Sequence, residues 1–151
     1  MDDAGVLGHA ACVCAILFRV AQAEEHGPAA TVELALQRWY TEAAQASRPD
    51  LMALTRQWVL ANKREVYVKL YRILAHGVDE IVAPQPPLTV PTLVLTGDED
   101  TGNGPEMSIA IAEEIPRARL VILKGLRHMA LAEDPQAVNR PVVDFLTEVL
   151  R

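Results

Sequence analysis

Three features of this sequence predict an α/β fold preceded by a helical region. Two short, uninterrupted apolar runs, Thr92-Leu-Val-Leu-Thr96 and Leu120-Val-Ile-Leu123, are rich in β-formers and read as strands buried on both faces. A helix-forming stretch, Glu106 to Ile115, lies between them and a second, Pro135 to Leu150, follows. Strand, helix, strand, helix is the order of a parallel crossover whose last helix packs back on the sheet. The stretch from 31 to 76 holds no glycine and one proline, as a set of helices requires.

Each element has its own justification, taken in chain order. Residues 9 to 25 are helix-like, apolar from Ala10 to Val20 except for Arg19, and broken by His26-Gly27-Pro28. The first helix after the break starts near Thr31 and carries Glu33 and Glu42, with Leu34, Leu36, Trp39 and Tyr40 as its apolar residues. Arg48-Pro49-Asp50 resets the chain, with Asp50 placed to cap a second helix bearing Leu51, Leu54, Trp58 and Leu60. A third helix carries Val66, Leu70, Ile73 and Leu74, with Tyr67 and Tyr71 four apart, and stops at His76-Gly77. Trp39, Trp58, Tyr67 and Tyr71 fall at helical spacing, which favours core packing over a pocket lining. Pro84, Pro86, Pro87 and Pro91 then form a stiff linker that no helix crosses. The organisation expected is an apolar helical segment over 1–27, a helical module over 28–83 and the strand-bearing segment over 84–151.

Two parallel strands make a poor sheet, because such strands normally sit inside larger sheets with both faces covered. Nothing before Pro84 reads as a further strand. Either the helices cover both faces unusually well, or the rest of the sheet lies elsewhere.

Composition narrows the function classes. Half of the 151 residues are hydrophobic and 23% are charged, which is globular and too apolar for disorder. A formal net charge of −6 without a Lys/Arg stripe excludes nucleic acid as the partner. Cys12 and Cys14 lie too close together to bridge well, and no second Cys/His pair completes a zinc site. This leans to a reducing compartment, the cytoplasm. Asp2 and Asp3 stand where a signal peptide needs positive charge, and the apolar run is short of the about 20 residues a bilayer requires. No membrane partner is therefore expected.

Loops at the carboxyl ends of parallel strands are where α/β folds place their sites. Gly97-Asp98-Glu99-Asp100 and Gly125-Leu126-Arg127-His128 are the two such loops here. An acid beside a histidine can orient the imidazole, fix its tautomer and stabilise the imidazolium. Asp100, three residues after the loop glycine, is the candidate acid and His128 the candidate base; Asp98 and Glu99 read as a solvated acidic turn. Asp98-x-Asp100-x-Gly102 fails as a calcium loop, since Asn103 stands at the sixth position and Ile109 at the twelfth. Gly102-Asn-Gly104 lacks a phosphate loop's Lys and sits beside three carboxylates. No cofactor and no metal are expected.

The segment from Val90 to Leu146 resembles the C-terminal part of the α/β-hydrolase family. Pro91-Thr92-Leu93-Val94-Leu95 with Gly97-x-x-Asp100, Ile115-Pro116 before a strand, Gly125-x-x-His128, and Glu133-x-Pro135 running to Phe145-Leu146 carry the likeness. Within that family it is most similar to the 3-oxoadipate enol-lactonase group, whose cap segment Gln37-Arg38-Trp39-Tyr40-Thr41 resembles. The likeness covers roughly residues 19 to 150. It implies Asp100 as triad acid, His128 as general base, residues 28 to 80 as a cap over the pocket, and a small ester or lactone as substrate.

The same resemblance exposes a gap. The family's order is nucleophile, acid, histidine, with the serine in G-x-S-x-G. The two serines, Ser47 and Ser108, lie in the cap and in the crossover helix. The nearest echo of the serine turn, around Gly8-His-Ala10-Ala-Cys12, has Ala10 in the serine's place, and Cys12 and Cys14 would lie on a helix and not on an exposed turn. Loss of the serine alone costs a serine protease about a million-fold in turnover, or about 8–9 kcal/mol. The expectation is a truncated or split ester hydrolase, inactive unless a partner chain supplies the nucleophile. The alternative is a non-catalytic module that binds a second copy or another chain through its apolar sheet edge and the Ala10–Val20 helix. A third reading, a flavodoxin-like ligand module, rests on the Gly97–Gly104 loop.

Overall fold

The computed structural model describes residues 3–77 and 85–151, with side chains from Val13 onward. The expected linker residue Pro84, and the side chains of the Gly8–Cys12 turn echo, lie outside the described residues. Helix α1 (Asp3–His26) covers the apolar N-terminal segment, and Pro28 then opens a 3₁₀ turn (Pro28–Ala30). Four helices follow: α2 (Val32–Trp39), α3 (Glu42–Ser47), α4 (Pro49–Leu60) and α5 (Arg64–His76). Strand β1 (Leu93–Gly97), α6 (Pro105–Glu114), β2 (Arg119–Leu123), the short α7 (Ala130–Glu133) and α8 (Pro135–Val149) complete the described chain.

Two boundaries differ from expectation. The helix predicted to run from near Thr31 through Glu42 breaks at Tyr40-Thr41, because Thr41 adopts an extended ψ of 155° and its hydroxyl accepts the Ala44 N–H at 3.2 Å. Thr41 is thus an N-cap, a role that apolar periodicity does not reveal. Asp50 does not cap α4: Pro49 takes the first helical position, where its missing N–H costs nothing, and the Asp50 carboxylate pairs with Arg48 at 3.2 Å.

The described residues fall into two compact units. The first comprises those of Met1–Leu34 and Leu54–Val82, where α1 packs on α5. Ile16, Val20 and Ala23, spaced four and three apart, form the buried stripe of α1, while Val59, Tyr67, Val68 and Ala75 are buried from the later helices. Thr31 Oγ1 and Tyr67 Oη lie 2.9 Å apart, and Glu33 pairs with Arg56 at 2.6 Å. Trp58 is exposed, contrary to its expected place in a core.

The second unit comprises the described residues of Ala35–Ala53 and Ala83–Arg151. β1 and β2 pair in parallel, Leu93 opposite Arg119 through to Gly97 opposite Leu123. Helix α6 packs on both strands, and α8 packs on β2 and α7. Asp134 caps α8, its carboxylate accepting the N–H groups of Gln136 and Ala137. Leu36, Tyr40, Leu51 and Met52 form a buried cluster against which Trp39, Met129 and Ala132 pack. The fold is α/β, with a small parallel sheet flanked by helices and not closed. In the strands only Gly97 and Leu123 are buried, the other residues being half-buried apart from the exposed Arg119. Full burial on both faces is not met, and among the described residues each strand has a single strand neighbour. Among the described residues, no helix is long and apolar enough to cross a membrane.

Candidate active site

The parallel ladder continues past the ends of the strands. The Asp98 N–H donates to the Leu123 carbonyl at 2.8 Å and the Glu99 N–H to the Leu126 carbonyl at 3.0 Å, so the two strand-end loops run side by side. Gly97 makes this approach possible: a Cβ there would stand 2.1 Å from the Leu126 carbonyl oxygen. Gly125 turns the second loop with φ 67°, in the left-handed region.

On this base Asp100 and His128 meet. Asp100 is only 7% exposed. Its Oδ1 accepts the N–H groups of Gly102 at 2.9 Å and Asn103 at 3.0 Å, and its Oδ2 lies 2.9 Å from His128 Nδ1. Burial pushes the Asp100 carboxyl up, but the Asn103 N–H, the His128 ring and the Gly102 N–H together hold it below the usual carboxylate range. An ionised carboxylate can only accept, so the proton between the two groups sits on Nδ1, and in the neutral ring the lone pair is then on Nε2. The imidazole is partly exposed beside a cavity of about 250 Å³ lined by Thr96, Asp100, Ser108, Arg127, His128 and Leu131, among others.

Of the neighbouring acids, Asp98 departs from a solvated turn and Glu99 does not. Asp98 bridges the loops, its Oδ1 accepting the Gly125 N–H at 2.7 Å and its Oδ2 facing Lys124 at 3.1 Å. The Lys124 ammonium first, and the Gly125 N–H second, hold its carboxyl below the usual range. Glu99 reaches Arg127 Nε only at 3.7 Å and is half-exposed.

Three residues to which the sequence reading gives no catalytic role also converge here. The Trp39 indole stacks on the His128 ring, centroids 6.2 Å apart and planes 24° from parallel. Arg127 donates through Nη1 to the Gln37 carbonyl at 2.8 Å and the Tyr40 carbonyl at 3.1 Å. Glu133 accepts the Thr41 hydroxyl at 2.8 Å, the Thr41 N–H, and the Arg127 N–H at 2.9 Å. Glu133 and Trp39 each have a signal in the sequence, as parts of Glu133-x-Pro135 and of the Gln37–Thr41 segment; the contact between the two segments, 92 residues apart at Thr41 and Glu133, has none. Of the serines, Ser47 is on α3 and donates to the Ala43 carbonyl, while Ser108 lines the cavity from α6 without a hydrogen bond to His128.

The family described as serine aminopeptidase, S33, matches residues 21–135, which include both loops. The chain belongs to this α/β-hydrolase family. A curated relative of this family member, the (E)-2-((N-methylformamido)methylene)succinate hydrolase of Acinetobacter baylyi, is 27% identical over 117 residues, covering 76% of this chain and 43% of the relative. The solved enol-lactonase from Burkholderia xenovorans LB400 matches with a TM-score of 0.80 at 28% identity, over 87% of this chain and 49% of that one. A thermophilic esterase from Thermogutta terrifontis shares the fold, with a TM-score of 0.77 at 24% identity over 91% and 50% of the two chains. This α/β-hydrolase thus spans less than half the length of the curated relative and about half that of the two solved structures.

Proposed function

We propose that Asp100 and His128 are the acid and general base of an ester- or lactone-hydrolysing site, most similar to that of the enol-lactonases. The observation that carries this reading is the 2.9 Å contact between His128 Nδ1 and a buried Asp100 oxygen, on a histidine that lines the cavity. In this role Nε2 accepts the proton of an attacking hydroxyl and returns it to the departing alkoxide, while Asp100 stabilises the imidazolium between the two steps. In this reading residues 28–83 act as the cap. Support for the ester or lactone class comes from the enol-lactonase. The name of the curated relative describes a formamide-bearing succinate, whose hydrolysable bonds are carbon–nitrogen bonds, so it supports hydrolysis but not the ester class.

The 151 residues contain no G-x-S-x-G, so this chain alone holds the base without the usual nucleophile. It should hydrolyse 4-nitrophenyl acetate no faster than an equal concentration of free imidazole. Turnover above that level, abolished in His128→Ala, Asp100→Ala and Ser108→Ala, would overturn this and assign the nucleophile to Ser108. The base role has its own test in ¹⁵N NMR of the side chain. A neutral ring protonated on Nδ1 is expected, and one protonated on Nε2 defeats the assignment.

A second reading, a non-catalytic module that associates with a second copy, is favoured by one observation. Val143, Leu146 and Leu150 lie three and four residues apart on or beside α8, and all are exposed.

A further inference from the structure

His128 is held from both sides by the segment that carries Trp39. The residue before it, Arg127, reaches the Gln37 and Tyr40 carbonyls with its guanidinium, and the residue after it, Met129, donates its N–H to the Trp39 carbonyl at 2.9 Å. Glu133 closes the arrangement, with Thr41 on one carboxylate oxygen and the Arg127 N–H on the other. Three donors thus converge on two oxygens, none of which an amide could serve without turning its own NH₂ toward a donor. The segment 37–41 could have continued as helix; instead it breaks where these bonds take hold.

We infer that Glu133 and Trp39 are positioning residues for His128: Glu133 ties the histidine loop to the break at Tyr40-Thr41, and so holds the Trp39 indole in its offset stack beside the imidazole. The inference rests on the acid–base reading of Asp100 and His128. Stacking restrains the ring's rotation about its last torsion, which is otherwise broad and soft. It keeps Nδ1 directed at Asp100. The face of an indole also attracts a cation, so the same contact favours the imidazolium formed during proton transfer. The charged groups around the ring are Asp100, which bonds it directly, with Arg127, Glu99 and Glu133 on the two loops beside it.

The test uses the full chain and the Nδ1 proton of the Asp100–His128 hydrogen bond, observed by NMR as a resonance protected from water exchange. Asp100→Asn must remove it. Glu133→Gln and Trp39→Leu should each speed its exchange at least tenfold or broaden it away, while Trp39→Phe, which keeps an aromatic face, should retain most of the protection. Far-UV circular dichroism identifies variants that have kept their helices. A Trp39→Leu chain that is folded and shows the unmutated exchange rate overturns the inference and leaves the acid–base reading intact. A resonance absent from the unmutated chain, or unaffected by Asp100→Asn, overturns the acid–base reading and this inference with it.

Discussion

Asp100 uses both carboxylate oxygens, one for two backbone donors of its own turn and one for His128. Asp100 therefore holds its own turn together as well as meeting the imidazole. Asp100→Asn keeps one acceptor oxygen but presents an NH₂ to Nδ1, so the imidazole must move its proton to Nε2 and cease to be a base. The stability cost expected is about 1–3 kcal/mol, that of a buried network left unmatched. Its pH dependence follows from the direction of the Asp100 carboxyl. Folded, the group titrates below its unfolded counterpart, which lies near about 3.9. Its contribution is then complete above about pH 4 and is lost as pH falls through the lower folded value. Urea denaturation should show the full difference between the unmutated chain and Asp100→Asn at pH 6–7, and a shrinking one below pH 4. A difference independent of pH would mean the carboxylate charge does not matter there.

Among the elements, the strands and the crossover are written in the sequence because two runs of β-forming apolar residues flank a helix that Pro116 ends. Asp100 and His128 could be singled out for the same reason, since a parallel strand fixes where its following loop emerges. What the sequence conceals is contact between distant segments. The break at Tyr40-Thr41, the bond from Thr41 to Glu133 and the stack of Trp39 on His128 join residues about 90 positions apart, and no local pattern marks them. Asp98 hides for a related reason: an acid in a polar turn looks solvated until the second loop is brought alongside. Gly97 shows how tightly that pairing is drawn. Gly97→Ala would place a methyl against backbone that cannot rotate away, and should destabilise the chain by about 1–3 kcal/mol or more. Urea titration measures that loss. Weakening of the Asp100–His128 contact should accompany it, visible as faster exchange of the Nδ1 proton. An alanine variant as stable as the parent would place the loops farther apart than they are here.

At the scale of the whole molecule, the apolar surface that the strands and α8 leave uncovered should govern behaviour in solution. A net charge of −6 opposes self-association, but Leu146 at 47% and Leu150 at 81% exposure are large apolar groups in water. Sedimentation velocity should show the mean coefficient rising with protein concentration, and Leu146→Glu should suppress the rise. A concentration-independent monomer would count against the second reading of function. The two-strand sheet also bears on transfer of the aspartate–histidine contact to other proteins. An engineer grafting the aspartate–histidine pair onto a different parallel scaffold would need, besides the two polar groups, a hydrogen-only position at the last residue of the first strand. Without it the donor and acceptor ends would be wedged apart before either could be tuned.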